Sequence, residues 1–296
     1  DSEGIQPFRR ISLRHRLARG EGKLPVELGR YRLLWAPVCP WAHRSVIVRK
    51  LLGLEDVISL GTADPKRPDV PRSDWAFTLD EGDVDPVLGI HYISEAYLAA
   101  DPDYTGRFTV PALVDIPSGK VVNNDYFNLT LYFETAWKPY HKEGAPDLYP
   151  EDLREEIDKL NDIIFREVNN GVYKAGFARK QKAYDRAINM VFNRLDWLEE
   201  RLANQRYLFG DRLTESDVRL YVTLVRFDCA YYPVFRLNKS FSAIIRICGH
   251  MQEICIRDRD LATQRILRRS RSIIISIAAR PMNLRSCQMD RMNPYG

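Results

Sequence analysis

Cys39 lies in the run Trp35-Ala36-Pro37-Val38-Cys39-Pro40-Trp41-Ala42-His43-Arg44, where an apolar stretch meets a helical pattern. A thiol on the last residue before a helix faces unpaired backbone N–H groups and the positive end of the helix dipole, and both favour its thiolate. Ala42 stands where a Cys-x-x-Cys pair would place its second thiol. An oxidised Cys39 therefore has no adjacent sulfur to resolve it, and an external thiol must do so. The chemistry this implies runs through a mixed disulfide with a small thiol. The other cysteines, Cys229, Cys248, Cys255 and Cys287, are scattered and fit neither a disulfide framework nor a zinc site. With five equally dispersed histidines, they indicate reduced thiols, a cytoplasmic setting and no metal.

The elements that must hold Cys39 follow from periodicity. Residues 31–35 read as a short buried strand. Pro40 suits a first helical turn, where its missing N–H has no intrahelical partner, and Val46, Ile47, Leu51 and Leu52 recur at helical spacing. Residues 57–60 form a plausible second strand. Residues 61–105, rich in Pro, Asp and Gly, exceed an ordinary connection and contain one helix, expected at 89–100. Two further strands, 108–115 and 120–123, flank a turn at Pro117-Ser118-Gly119, and a helix follows over about 125–137. Beyond a Pro-rich linker the pattern is helical: amphipathic stripes run over 153–168 and 181–202. Thr214-Glu215-Ser216-Asp217 resembles a capping box ahead of a helix over 218–227. Strands with helices first, then helices alone, predict an α/β domain followed by an all-α domain.

With 45% hydrophobic and 28% charged residues, the 296-residue chain has the composition of a globular protein. The net charge of +4 is too mild to argue for nucleic acid, and no apolar run approaches the length of a membrane span. Residues 1–19 lack the apolar block of a secretory signal. The first residue is Asp1 rather than Met, as expected where an upstream segment has been removed. Basic residues concentrate at the other end: residues 256–296 carry nine Arg and three Asp, with neither Lys nor Glu.

Together, Cys39-Pro40-Trp41-Ala42-His43-Arg44, the run from Ala100 through Asp101-Pro102-Asp103-Tyr104-Thr105-Gly106 to Arg107, Val122-Asn123-Asn124, Asn169-Asn170-Gly171-Val172-Tyr173-Lys174-Ala175-Gly176-Phe177-Ala178 and Arg226-Phe227-Asp228 resemble the glutathione transferase family. Within it, the likeness is to the Xi class, the glutathionyl-hydroquinone reductases. The resemblance implies a thioredoxin-like glutathione-binding domain over 31–138, after an N-terminal extension (1–30). A linker over 139–150 and an all-helical domain over 151–296 would follow. It makes glutathione the co-substrate, quinone-derived conjugates the substrates and a homodimer the expected assembly. Val110-Pro111 would be a cis-proline loop whose backbone pairs with the cysteinyl unit of glutathione, and Trp75 would lie against that site. Asp125 would meet the glutathione ammonium, or simply cap a helix, in place of a family Glu. Tyr126 would replace a small Ser while leaving its backbone N–H for the glutathione carboxylate. Tyr173 and Tyr231 would line the quinone pocket, each able to supply a proton. His43 and Arg44 would orient the loop or face solvent.

The tail from about residue 240 departs from the family pattern, which ends in a run rich in His and Tyr. It reads either as a frame-shifted ending or as a divergent extension. The readings that remain are reduction of glutathionyl-hydroquinones, an Omega-like thiol transferase or dehydroascorbate reductase, and a non-catalytic binding module of the same fold.

Overall fold

The computed structural model describes residues 24–68 and 74–239. The Arg-rich tail and most of the N-terminal extension lie outside the described residues.

Four strands form one mixed sheet in the order β2-β1-β3-β4. Strand β1, Tyr31–Trp35, runs parallel to β2, Ile58–Thr62, and antiparallel to β3, Ala112–Asp115, which pairs antiparallel with β4, Lys120–Asn123. Every residue of β1 is buried, as expected of a central strand covered on both faces. Even Arg32 is inside, where Nε and Nη2 donate to Asp85 Oδ2 at 2.9 and 2.8 Å.

Helix α1, Pro40–Leu51, follows β1 directly, and α2, Ile93–Ala100, lies in the long insertion. Helix α3, Leu129–Thr135, closes the α/β half. Several boundaries differ from expectation, each for a local reason. The predicted strand over 108–115 begins only at Ala112, because Pro111 just before it has no N–H for a ladder; the Val110–Pro111 bond is cis. The helix expected from 125 starts at Leu129, because the Asp125 carboxylate first captures the amides of Phe127 and Asn128 in a turn. In the insertion, Gly89 has φ of +66°, so the helix waits until Ile93.

The second half is helical apart from a turn over 207–212 that is bridged at Tyr207–Gly210 and Phe209–Arg212. Helix α4 is Arg154–Ile163, and the amphipathic pattern past it continues as a π-helical turn, Ile164–Asn169, rather than as α-helix. It leads into α5, Gly171–Gly176, and α6, Gln181–Leu202. Helix α7, Glu215–Leu224, is buried along its whole length and starts three residues before the predicted point. Its capping box is formed: Thr214 N–H and Oγ1 each donate to Asp217 Oδ2, at 2.9 and 3.0 Å. Oδ1 of the same carboxylate accepts the Leu208 amide at 2.8 Å. A second π-helical turn, Phe227–Tyr231, precedes the short α8, Tyr232–Phe235. Helix α1 packs against α7 and α3, so the helix that begins at Cys39 also joins the two halves.

Candidate active site

Cys39 is the N-cap of α1, with φ −84° and ψ 113°, and Pro40 follows in the first turn. Its own N–H is held by the Ala36 carbonyl at 2.9 Å, and its carbonyl accepts the His43 amide at 3.1 Å. The sulfur is therefore aimed by a fixed loop. Its thiol donates to the Val110 carbonyl, with Sγ and O 3.5 Å apart. Burial pushes the Cys39 thiol above its ordinary pKa. The amides of Ala42 and Trp41 and the charges of Arg226 and Arg67 pull the other way, and burial prevails. This corrects the expectation of a resting thiolate. The helix start was legible in the sequence, but the packing that leaves Cys39 half-buried was not.

On the sheet side, the structure places Val110 and the cis proline Pro111 opposite Cys39. Trp75 is buried, with the Arg67 guanidinium 3.9 Å above its ring. Its indole N–H is enclosed and has no acceptor among the described residues. These groups fit a peptide-like thiol. The turn at Asp125 is less open. Asp125 Oδ2 accepts Asn128 Nδ2 at 2.8 Å while Oδ1 caps Phe127 and Asn128, so the capping role is observed directly. The Tyr126 amide, expected to await a carboxylate, donates instead to the Asn124 carbonyl at 2.9 Å. The Tyr126 ring sits against Trp41 (centroids 5.6 Å apart) and Phe165 (6.4 Å). Two buried arginines secure the turn from behind. Arg44 Nη2 donates to the Tyr126 carbonyl and Arg219 Nη2 to that of Phe127 at 2.7 Å. Neither His43 nor Arg44 faces solvent: both are fully buried.

The helical half faces Cys39 with aromatic rings. Tyr173, on α5, stacks on Trp41 at 6.2 Å and meets Tyr231 edge-on at 5.7 Å. The two phenol oxygens are 3.4 Å apart. Burial raises the pKa of both phenols, for Tyr173 well above the ordinary value, so both remain protonated donors at neutral pH. Phe235 closes the cluster 5.5 Å from Tyr173 and 5.6 Å from Tyr231. It lies so close to Gly176 that a Cβ there would meet its ring at 2.2 Å, so the Gly makes room for this wall.

The sequence profile of the glutathione S-transferase N-terminal domain matches residues 38–136, and that of the C-terminal domain matches residues 181–247. This chain belongs to the glutathione transferase family. It is 42% identical over 215 residues to the glutathionyl-hydroquinone reductase PcpF of Sphingobium chlorophenolicum, covering 72% of this chain and 67% of the relative. A Xi-class transferase structure from Natrialba magadii superimposes with a TM-score of 0.76 at 38% identity, covering 82% and 74% of the two chains. The glutathione-bound structure of YqjG, a transferase homologue from Escherichia coli K-12, superimposes with a TM-score of 0.72 at 41% identity, covering 80% and 76%. The fold and the Xi-class resemblance read from the sequence both stand.

In this glutathione transferase, sequence reasoning assigned no role to Trp41, Phe165, Phe177, Phe235 or Arg226, all of which the fold brings to or behind the cleft. Trp41 was within the quoted motif and Arg226 within another, but neither motif says what its residues touch. Among the described residues, no group of three or more His, Cys, Asp or Glu side chains could hold a metal, and no helix is long and apolar enough to cross a membrane.

Proposed function

We propose that this glutathione-dependent enzyme reduces glutathionyl-hydroquinones through a Cys39–glutathione mixed disulfide. The Cys39 thiolate attacks the glutathione sulfur of the conjugate. The carbon–sulfur bond breaks, the ring carbon takes up a proton, and hydroquinone leaves. A second glutathione, as thiolate, attacks the mixed disulfide and releases oxidised glutathione with Cys39 restored. Across both steps the conjugate gains two electrons and two glutathione sulfurs are joined, so no metal or nucleotide enters the balance.

Roles divide across the cleft. Residues 31–138 would bind glutathione, with Val110 and Pro111 presenting backbone to its cysteinyl unit and Trp75 offering its unpaired N–H. Asp125 and Tyr126 would border its γ-glutamyl end. Tyr173 and Tyr231 would receive the quinone ring, one hydroxyl supplying a proton as the carbon–sulfur bond breaks. Residues 139–150 would act as linker, and two such chains would assemble as a homodimer in the cytoplasm.

The observation that carries this reading is a pair of tyrosine hydroxyls, 3.4 Å apart, beside Trp41, which follows the Cys39 N-cap by two residues. Cys39 and Tyr231 come from opposite halves, yet Trp41, beside Cys39, stacks on Tyr173, whose ring meets that of Tyr231. The name of the Sphingobium relative supports the substrate class. A second reading, an Omega-like thiol transferase, uses the same sulfur and is favoured by a Schizosaccharomyces pombe relative named omega-like. The test is Cys39→Ala, assayed for hydroquinone release from a glutathionyl-hydroquinone and, in parallel, for dehydroascorbate reduction. The proposal expects loss of the first activity, which in the unaltered enzyme exceeds the second. Substantial reductase activity without the sulfur would end it.

A further inference from the structure

Arg226 is a buried cation with no partner of opposite sign among the described residues. It follows α7 and is 3% exposed. Among the described residues no carboxylate lies within ion-pair distance of it. Its guanidinium is spread over neutral acceptors: Nη1 donates to the Val222 carbonyl at 2.8 Å and to His43 Nδ1 at 3.1 Å, and Nη2 donates to the Pro37 carbonyl at 2.9 Å. An arginine can only donate, so His43 Nδ1 accepts and the imidazole proton sits on Nε2. Pro37 precedes Cys39 by two residues and His43 follows it by four. One side chain from the helical half therefore grips the nucleophile loop on both sides of the sulfur.

A buried charge without a counter-ion is costly. The cost is reduced whenever an anion forms beside it, and the acid placed to supply that anion is Cys39. The charged and titratable groups that act on this sulfur are Arg226 and Arg67 as cations, Arg44 behind α1, and the neutral phenols Tyr173 and Tyr231. Of the two cations that pull the Cys39 thiol toward ionisation, Arg226 has the larger influence, and it also holds the Cys39 loop.

We propose that Arg226 is a positioning residue for the nucleophile: it locks the loop carrying Cys39 to the helical half and holds its charge unpaired so that the sulfur anion formed during turnover becomes its counter-ion. The inference rests on the reading of Cys39 as the reacting thiol. It explains why the residue is Arg and not Lys. Three acceptors in different directions are met by one planar fork, whereas an ammonium at the end of a flexible chain would hold the loop less firmly.

The test is the pH dependence of Cys39 alkylation by iodoacetamide, followed by peptide mass spectrometry so that only this thiol is counted. Arg226→Gln keeps a donor for the loop but removes the charge. Its alkylation midpoint should rise by about one pH unit, a tenfold loss of thiolate at neutrality. Arg226→Lys should keep the midpoint near that of the unaltered protein while lowering kcat through a looser loop. A folded Arg226→Gln protein with an unmoved midpoint, or an Arg226→Lys midpoint displaced as far as that of Gln, would overturn the proposal.

Should Arg226→Gln fail to fold, the unaltered enzyme decides. The side-chain nitrogen resonances of Arg226 should titrate together with Cys39 and stop doing so in Cys39→Ser. Resonances that ignore Cys39 ionisation overturn the idea. Alkylation reads the sulfur directly, whatever the substrate, so failure here is distinct from failure of the reductase reading.

Discussion

The two walls of the cleft are built from different materials. The sheet wall presents main chain: the Val110 carbonyl beside a cis proline, the turn at residues 125–128, and the fixed backbone around Cys39. The helical wall presents side chains: the rings of Tyr173, Tyr231 and Phe235 meeting edge-on or tilted, with two hydroxyls between them. Main-chain carbonyls keep a second lone pair even when bonded within the protein, so a peptide ligand can still be met there. Ring walls suit a flat aromatic group with a few oxygens. Trp41 touches both sides, packing on Tyr126 from the sheet half and on Phe165 and Tyr173 from the helical half. The proposed substrate, a conjugate of a tripeptide with an aromatic ring, would span both walls.

Breaking the sheet wall at its sulfur should have the largest effect. Cys39→Ser should lower hydroquinone release by at least about a thousandfold, because the hydroxyl cannot form a disulfide. The same variant should gain conjugating activity toward an aromatic halide, measured as glutathionyl product. Breaking the helical wall should cost less. Tyr173→Phe should reduce kcat by about a hundredfold, within the range for loss of one general acid, while the KM for glutathione stays within about twofold. A glutathione KM that rises as much as kcat falls would mean the two walls are not separate.

The comparison sharpens with pH. The Cys39 thiol is raised above its ordinary pKa, so at neutrality the thiolate is the minor form. Its fraction, and the alkylation rate of the resting enzyme, should climb about tenfold per pH unit between about pH 6 and 8. A plateau beginning near neutrality would show that the amides and arginines outweigh burial. The smallest effect is expected at the edge of the sheet wall. Tyr126→Ser removes a ring from the proposed γ-glutamyl end and should lower the glutathione KM by about threefold, read by steady-state kinetics or calorimetry. An unchanged KM would place the Tyr126 ring outside the glutathione subsite.

Much of the sheet wall was legible in the sequence because its parts are local. The strand before Cys39, the proline after it and the Val-Pro pair are each visible within a few residues. So was the long helix α6, observed over the 181–202 span expected of it, since twenty-two residues of one amphipathic period leave little ambiguity. Elements that end in competition were read less well. At Asp125 a side chain took the amides that helical periodicity would have assigned to the backbone, and after Ile163 the backbone slipped into a π-helical turn that no period announces. The helical wall was half visible: Tyr173 and Tyr231 were named, but Phe235 was not, because its place depends on the missing side chain of Gly176.

By itself the sequence singled out Cys39 as the candidate nucleophile, since one thiol at a helix start, with no second thiol three residues on, is a statement about covalent order along the chain. It also determined the layered fold, because hydrophobic period and turn residues are local properties. The protonation state of that thiol was decided only in three dimensions. Desolvation comes from walls contributed by residues far apart in the chain, and the opposing charge of Arg226 reaches Cys39 only because α7 packs on α1. Electric fields and water exclusion depend on distance through space, and that distance exists only once the two halves have closed on each other.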